Sequence, residues 1–457
     1  MYNIILDNEK FKYDISELMR LFVKPTEFSF ITPDEPPATG AIVIEYPDGP
    51  ADKNAVKRHY FNIMRGATGY SPPWGILTGV RPVKMVNEFF RSGLDEGQVF
   101  QKLKNEYFVR EDKIKLLLDT SRNQRKISMI PGGETVSLYI GIPFCPSRCV
   151  YCSFTSNKAD EAMIARYLEA LYKELEFVAG QMKQSGIFAE TIYVGGGTPT
   201  SISAVSLDGL LGFINKNFDK SRLLEFTVEA GRPDTITREK LKLIIEHGCS
   251  RISINPQSMH QKTLDRIGRN HSPEQIVDAF RMVRESSDLK INADVIAGLP
   301  GEDSSDFEDT LEQVVHLRPS NITVHTLALK RSSKLREIDE DYNYNHGAEL
   351  EQMTGMAADF LLKAGYGPYY LYRQKQMSGN FENVGYTLPG DECIYNMRIM
   401  EEKQTNIALG AGGISKIYYP SENRLERIPN VSNHAVYIER IGEMIQRKKD
   451  MNFNHIK

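Results

Sequence analysis

The chain has 457 residues, a formal net charge of −4 and the composition of an ordinary globular protein, which is enough for two or three domains. The small negative charge gives no bulk attraction for nucleic acid, and no apolar run approaches the roughly 20 residues that cross a bilayer. Five cysteines, an odd and low count, argue against a secreted disulfide framework. We therefore expect a cytoplasmic protein without a membrane anchor.

Residues 1–130 are predicted to form a small N-terminal α/β domain of unknown role. A strand is predicted at 41–46, and helical periodicity covers 53–64, 82–91 and 111–122. The string WGILTGVRP at 74–82 contains the only tryptophan. We interpret this string as a packed loop that anchors the first domain to the next.

Residues 131–375 are predicted to be the core domain, in which strands alternate with helices. The predicted strands are 136–142, 191–194, 225–229, 251–254, 290–297 and 321–327. The predicted helices are 160–184, 203–216, 237–247, 273–285 and 305–317. Six strand–helix units predict a parallel sheet, curled into a partial (β/α)6 TIM-like barrel or else doubly wound. Residues 376–457, with a final helix at 434–449, are predicted to be a C-terminal α/β extension that covers the barrel mouth.

Three of the cysteines follow the first predicted strand of the core. Cys145, Cys149 and Cys152 have the spacing Cys-x3-Cys-x2-Cys. Three thiolates within eight residues can surround an iron–sulfur cluster and leave one iron open to another ligand. The spacing alone is also compatible with a zinc site that has a distant fourth ligand, or with no metal. Cys249 and Cys393 are expected to be buried as small apolar residues.

Small and polar residues follow the other predicted strands at the same end. They are Gly195, Gly196, Gly197, Thr198, Glu229, Gln257, Asp294 and Ala328. Because the chemistry of a parallel barrel lies at the carboxyl ends of its strands, we expect one shared site. A buried carboxylate such as Glu229 or Asp294 needs a partner. That partner is either a ligand amino group or ribose diol, or an internal salt bridge to Arg232 or Arg269.

Several motifs in chain order resemble those of one superfamily. LYIGIPFCPSRCVYCSF, GGGTPT, TVEAGRPD, RISINPQSM, LDRIGRNHS and INADVIAGLPGED are similar to the motifs of radical S-adenosylmethionine (SAM) proteins, in the form found in oxygen-independent coproporphyrinogen III oxidases. The resemblance covers roughly 135–375 and recurs in ALGAGGIS at 408–415. Within that family the chain looks most like the HemZ type.

The resemblance implies a 4Fe–4S cluster bound by Cys145, Cys149 and Cys152, with SAM on the fourth iron. The matching cofactor-binding positions are Tyr139, Phe144, Gly196, Gly197, Thr198, Glu229, Gln257, Arg269, Asp294, Ala328 and Ile414. Glu229 would pair with the SAM amino group, and Gln257 and Asp294 suit ribose hydroxyls. Tyr139 matches a SAM-contacting tyrosine in the catalytic set.

The implied activity is that of a radical SAM oxidoreductase similar to coproporphyrinogen dehydrogenase. A radical made from SAM would take a hydrogen atom from a porphyrinogen propionate, and loss of CO2 and one electron would then leave a vinyl group, a step of haem biosynthesis. The implied partners are a tetrapyrrole and a low-potential electron donor such as flavodoxin or ferredoxin. We also predict that Arg373 holds a substrate carboxylate, since arginine binds carboxylates bidentately.

Departures from the family pattern leave the substrate open. Gly141 and Phe154 replace residues common in the oxidases. A haem-chaperone branch of the family carries His-Asn-x-x-Tyr, and the comparable string here begins with Glu382 and ends with Tyr386. Glutamate is a poor haem ligand, which disfavours a chaperone unless a histidine elsewhere, His325 or His271, serves instead. Chemistry on another tetrapyrrole is a third possibility.

Overall fold

The structure is a computed structural model, and it describes residues 1–6, 9–47, 52–79, 81–127, 134–152, 158–327, 347–373, 381–451 and 453. Within these ranges no helix combines the length and the apolar character that spanning a membrane requires.

The chain begins with a small α/β unit that has a hydrophobic core of its own. Its elements are β1 (Tyr2–Ile5), α1 (Lys12–Met19), β2 (Phe28–Ile31), β3 (Ile42–Ile44) and α2 (Lys53–Thr68). The three strands are parallel, in the order β2-β1-β3. The Asp52 carboxylate caps α2 by accepting from the Ala55 N–H. The strand and the helix predicted in this region are confirmed.

The rest of the strands form one sheet, in the order β10-β11-β9-β8-β7-β6-β5-β4-β12-β13-β14. The parallel strands are β4 (Thr135–Ile142), β5 (Phe188–Gly196), β6 (Glu225–Glu229), β7 (Arg251–Ser253), β8 (Lys290–Ala297) and β9 (Asn321–Thr326). The others are β10 (Gly367–Arg373), β11 (Glu382–Thr387), β12 (Asn406–Leu409), β13 (Ile414–Tyr419) and β14 (Arg424–Pro429). All six predicted core strands are confirmed.

Helices follow the parallel strands, as predicted. N-terminal to the sheet lie α3 (Pro82–Arg91), α4 (Glu96–Asn105) and α5 (Glu111–Ile127), and within the core come α6 (Glu161–Ser185), α7 (Ala204–Asn217), α8 (Arg238–Glu246), α9 (Gln261–Arg266), α10 (Pro273–Ser286), α11 (Ser304–His316) and α12 (Gly347–Lys363). The stripe Ile164, Leu171 and Val178 of α6 is buried against the sheet, as its 3.6-residue period requires.

The sheet curls around an inner cluster of tyrosines. Tyr193 of β5 and Tyr370 of β10, which are far apart in the sheet order, belong to this one buried cluster together with Tyr395. The sheet order ends in β10 on one side and β14 on the other, so the curled sheet is open at its edges.

The hydrophobic cores divide the N-terminal region differently from the prediction. The first core is built from residues 4–64 and Ile76, whereas Val83, Leu103 and Leu117 belong to the core of the main sheet. Asn123 of α5 donates to the Pro368 carbonyl on β10 at 2.9 Å. Helices α3–α5 are therefore packed on the outside of the sheet, and the buried residues of the separate core lie within 4–64 and at Ile76.

The C-terminal region mainly extends the sheet, and its glycine turn at 410–413 reaches the carboxyl end of β4. β11 pairs antiparallel with β9 and β12 pairs parallel with β4, so this region extends the sheet on both sides. Between them, α13 (Ile394–Glu401) enters the opposite, amino-terminal end of the barrel. Glu225, the first residue of β6, accepts from the N–H groups of Ile394 and Tyr395, both at 3.1 Å. The predicted final helix is two helices, α14 (His434–Glu439) and α15 (Ile441–Lys449).

Candidate functional site at the carboxyl ends of the strands

The cysteine loop begins directly after β4 and contacts the glycine run after β5. Cys145 Sγ lies 3.3 Å from Thr198 Oγ1, and the Thr198 N–H donates to the Phe144 carbonyl at 2.8 Å. A Cβ added at Gly197 would lie 3.0 Å from Cys145 Sγ and 2.5 Å from the Phe144 carbonyl oxygen. The glycine therefore makes this close approach possible. None of the three cysteines forms a disulfide within the described residues, and all three are half-buried, which suits thiolate ligands of a cluster.

Glu229 ends β6 beside the glycine run. Its Oε1 accepts from the Tyr193 hydroxyl at 2.5 Å, and its Oε2 accepts from the Gly196 N–H at 3.0 Å. Burial raises the pKa of the Glu229 carboxyl to about 7, and the charge of Asp294 adds to the rise. In the part of the chain that the structure describes, the expected alternative of a salt bridge to Arg232 or Arg269 is not formed. The carboxylate remains able to receive a ligand amino group.

Gln257 and Asp294 meet at the ends of the next strands. Gln257 has a positive φ of 68°, and its N–H donates to the Asp294 carbonyl at 2.9 Å. Its side-chain Oε1 is buried and, among the described residues, has no hydrogen-bond partner. Asp294 Oδ2 lies 3.6 Å from His325 Nε2. A strained backbone that holds an unused acceptor beside a carboxylate fits the hydroxyl donors of a ribose.

Aromatic rings pack inside the sheet and beside the start of the cysteine loop. Tyr139 stacks on Tyr193 with ring centroids 6.2 Å apart, and Tyr193 stacks on Tyr395 at 4.4 Å. Burial raises the pKa values of the phenols of Tyr139 and Tyr193 far above the ordinary value, so both stay neutral. Phe144 packs edge-on against Tyr167 at 5.2 Å. Tyr193, Tyr395 and Tyr167 were missed by the sequence analysis; only Tyr193, inside a predicted strand, offered a local signal.

Two arginines fasten the cysteine loop to the ends of β6 and β7. Arg269 donates to the Tyr151 hydroxyl at 3.2 Å and to the carbonyls of Gly231 and Asn255 at 2.5 and 2.8 Å. Arg232 donates to the Ser147 hydroxyl at 2.8 Å. The structure thus brings Arg269 to the site. The hydrogen bonds described for it go to other residues of the protein.

Two predicted residues lie outside this assembly. Arg373 is buried on the opposite side of β10 from Tyr372, with its guanidinium 4.8 Å from the centre of the Trp74 ring, and it donates to the Leu77 carbonyl. The expectation that Arg373 holds a substrate carboxylate is therefore corrected. Ile414 is the exposed first residue of β13, after the glycine turn 410–413. Ala328 lies outside the described residues, as does Phe154.

Glu382 is part of the junction between the N-terminal helices and the sheet. It accepts from Trp74 Nε1 at 2.8 Å and from Lys113 Nζ at 2.5 Å, and all three side chains are buried. Burial acts to raise the pKa of Glu382, but Lys113 holds it below the ordinary value. Tyr386 is buried as well. The interpretation of 74–82 as an anchoring loop is confirmed by the Trp74 contact.

Comparisons with known proteins agree on one superfamily. A model described as the Radical SAM superfamily matches residues 139–314. The oxygen-independent coproporphyrinogen-III oxidase-like protein HemZ of Bacillus subtilis (strain 168) is 39% identical over 403 residues, which cover 87% of this chain and 80% of HemZ. The heme chaperone HemW of Lactococcus lactis subsp. lactis (strain IL1403) is 29% identical over 325 residues, 68% of this chain and 78% of HemW.

The fold also matches a solved structure. Coproporphyrinogen III oxidase (HemN) from Escherichia coli, a radical SAM enzyme, superposes with a TM-score of 0.55 and 21% identity, covering 70% of this chain and 72% of that one. At this identity the match shows the shared fold alone.

Proposed function

Because the chain belongs to the radical SAM superfamily and to its family of oxygen-independent coproporphyrinogen III oxidase-like proteins, we propose that it oxidatively decarboxylates porphyrinogen propionates to vinyl groups. The superfamily binds a 4Fe–4S cluster and SAM, which when bound supply one-electron reduction and abstraction of a hydrogen atom from an unactivated carbon. The protein's own groups bind, orient and shield these reactants.

The proposed ligand roles follow the contacts at the strand ends. Cys145, Cys149 and Cys152 hold the cluster. Glu229, kept in place by two donors, receives the SAM amino group. The unused acceptor of Gln257 and the carboxylate of Asp294 receive the ribose hydroxyls. Glu229, Gln257 and Asp294 all lie at or near the carboxyl ends of neighbouring parallel strands, which supports a shared role in binding SAM.

The substrate approaches from the carboxyl ends of the strands, because the amino-terminal end of the barrel is filled. Tyr139, Tyr193 and Tyr395 stack inside the sheet, and the start of α13 is bonded to Glu225 at the far end. A filled interior keeps water away from the reacting carbon and limits quenching of a radical. The phenols lie inside the sheet on the interior side of the site, and the tetrapyrrole binds on the opposite, outer side.

The observation that favours an oxidase over a haem chaperone is the environment of Glu382. At the position where the chaperone branch carries histidine, this carboxylate is buried between Trp74 and Lys113. The neighbouring Tyr386 is also buried. A haem ligand has to reach the haem iron, and the side chain at this position instead joins two parts of the fold.

The test is anaerobic turnover with a matched pair of cysteine variants. Reconstituted protein is given SAM, a reductant and coproporphyrinogen III, and 5′-deoxyadenosine and CO2 are measured. Cys145→Ala should lose bound iron and both products, whereas Cys249→Ala, which changes a buried cysteine in the hydrophobic core, should keep them.

The alternatives give different outcomes in the same assay. Deoxyadenosine without CO2 would mean a different substrate of a radical enzyme. Stoichiometric haem uptake without turnover would support the chaperone that the HemW relatives suggest.

A further inference from the structure

The two arginines that fasten the cysteine loop are nearly inaccessible to solvent. Arg232 is 3% exposed and Arg269 is 4% exposed. Arg232 bonds to Ser147, which lies between Cys145 and Cys149 in the sequence. Arg269 bonds to Tyr151, which lies between the second and third cysteines. Both positive charges are therefore fixed against the loop that binds the cluster.

The two arginines differ in how their charge is balanced. The Asp234 carboxylate accepts hydrogen bonds from both Nε and Nη2 of Arg232, each at 2.9 Å, so the charges of Arg232 and Asp234 nearly cancel. The hydrogen bonds of Arg269 described above go to a hydroxyl and two carbonyls, which carry no charge. No carboxylate forms an ion pair with Arg269 within the described part of the chain. A buried charge without an opposite charge is costly, unless a ligand supplies the balance.

The nearby His271 does not provide that balance. It is 2% exposed, and burial together with the charges of Arg269 and Arg232 lowers its pKa to about 3. His271 is therefore neutral at physiological pH. The shelf formed by Arg232, Asp234, Arg269 and His271 has a surplus of one positive charge beside the cysteines.

We propose that Arg269 is a positioning residue that sets the reduction potential of the iron–sulfur cluster, by placing an unbalanced positive charge against the cluster loop. Three thiolates and four sulfides give the cluster a net negative charge, which grows when it is reduced. A fixed positive charge nearby stabilises the reduced form more than the oxidised form and so raises the potential. This inference goes beyond the proposed reaction and does not depend on its substrate.

The first test compares two changes at Arg269. The full-length protein is reconstituted anaerobically without SAM, and the cluster is titrated with redox mediators and followed by electron paramagnetic resonance. Without SAM, any contact between Arg269 and SAM cannot contribute. Arg269→Gln should lower the midpoint, so that the reduced fraction at the wild-type midpoint falls several-fold. Arg269→Lys, which keeps the charge, should retain most of the wild-type value.

A change of opposite sign completes the test. Asp234→Asn removes the carboxylate that balances Arg232, so the midpoint should rise. The charge of Asp234 also acts on Arg269, so this variant tests the proposal even if Arg269→Gln does not assemble a cluster. Equal midpoints for the glutamine and lysine variants, or an unchanged or lower midpoint for Asp234→Asn, would overturn the proposal. Iron content, measured for each variant, separates loss of the cluster from a change in its potential.

Discussion

The Tyr193 hydroxyl donates a 2.5 Å hydrogen bond to Glu229 Oε1 where β5 and β6 end side by side. The other carboxylate oxygen accepts from the Gly196 N–H, so both oxygens are fixed by neutral donors. A buried carboxyl in this setting changes its protonation near neutral pH, because burial raises its pKa to about 7. Glu229 is thus held in a geometry that is ready for a cation, and its charge depends on pH.

SAM binding should therefore depend on pH through Glu229. The ionised carboxylate attracts the SAM amino group, and its population grows as pH rises through about 7, so affinity should increase between pH 6 and 7.5. Glu229→Gln should bind SAM about tenfold or more weakly at the upper pH, since a hydrogen bond to a charged group contributes roughly 1.5–3 kcal/mol. Comparing the two proteins at each pH by calorimetry cancels the ionisation of SAM itself.

Tyr193→Phe provides the control for this assignment. The Tyr193 hydroxyl lowers the Glu229 pKa by bonding to the ionised form, so its removal should move the midpoint of the affinity curve to higher pH. A midpoint that stays in place, or an unchanged pH dependence in Glu229→Gln, would mean that another group titrates.

A second prediction concerns the position where haem chaperones carry histidine. Glu382→His should not create haem binding, because the side chain at this position is enclosed by Trp74 and Lys113. Removing the carboxylate breaks the buried ion pair with Lys113, which keeps only the longer contact of 3.9 Å to Asp112 among its described ion pairs. Breaking a buried pair typically costs about 3–5 kcal/mol. The midpoint temperature of thermal unfolding should therefore fall markedly. A haem titration should show no new absorbance of bound haem. Glu439→His, at an exposed position, should leave stability nearly unchanged.

The parallel core and the meeting of the candidate residues at one end of its strands were predictable because their signals are local. β4 is almost continuously buried and carries aliphatic residues at every second position from 136 to 142, and α6 shows a clear helical period. Once the strands are parallel, their carboxyl ends must meet, which places Cys145, Glu229 and Asp294 at one edge.

Other features had no local signal. Both faces of β10 are buried, one by the barrel interior and the other by the N-terminal helices, so polarity did not reveal that Arg373 points away from the site. β11 pairs with β9 and β12 pairs with β4, and the paired strands are distant in sequence. The same is true of Tyr395, whose ring reaches Tyr193 from a helix about 200 residues later, a contact that depends on tertiary packing alone.

A third prediction concerns the glycine turn at 410–413, which reaches the barrel mouth beside β4. The Tyr167 hydroxyl donates to the Gly141 carbonyl at 2.6 Å and accepts from the Ala411 N–H at 3.0 Å, while its ring packs on Phe144. One phenol thus ties the end of β4, the glycine turn and the start of the cysteine loop together. Tyr167→Phe keeps the ring but removes the hydroxyl that bonds to the buried Gly141 carbonyl and to the half-buried Ala411 N–H, at a cost of about 1–3 kcal/mol.

The expected consequence of Tyr167→Phe is a looser site with an intact cluster. Iron content should be retained, whereas the KM for SAM should rise and the change that SAM produces in the electron paramagnetic resonance spectrum should weaken. Tyr172→Phe, on the same helix, stacks on Phe213 and serves as the control. Equal effects of the two variants on the KM would show that the role of Tyr167 is only structural.

The last prediction concerns the filled end of the barrel. Glu225 is 4% exposed and accepts from Arg251 Nε at 3.0 Å as well as from two N–H groups at the start of α13. Its negative charge therefore stabilises both a buried guanidinium and the positive end of a helix. Glu225→Gln keeps the shape but removes the charge, and we expect a loss of about 3–5 kcal/mol in the free energy of unfolding. Glu246→Gln breaks a surface pair with Lys242, 3.6 Å apart, and should cost less than about 1 kcal/mol. Denaturant titrations of both variants measure the difference, and near-equal losses would mean that the contact between Glu225 and α13 does not stabilise the barrel.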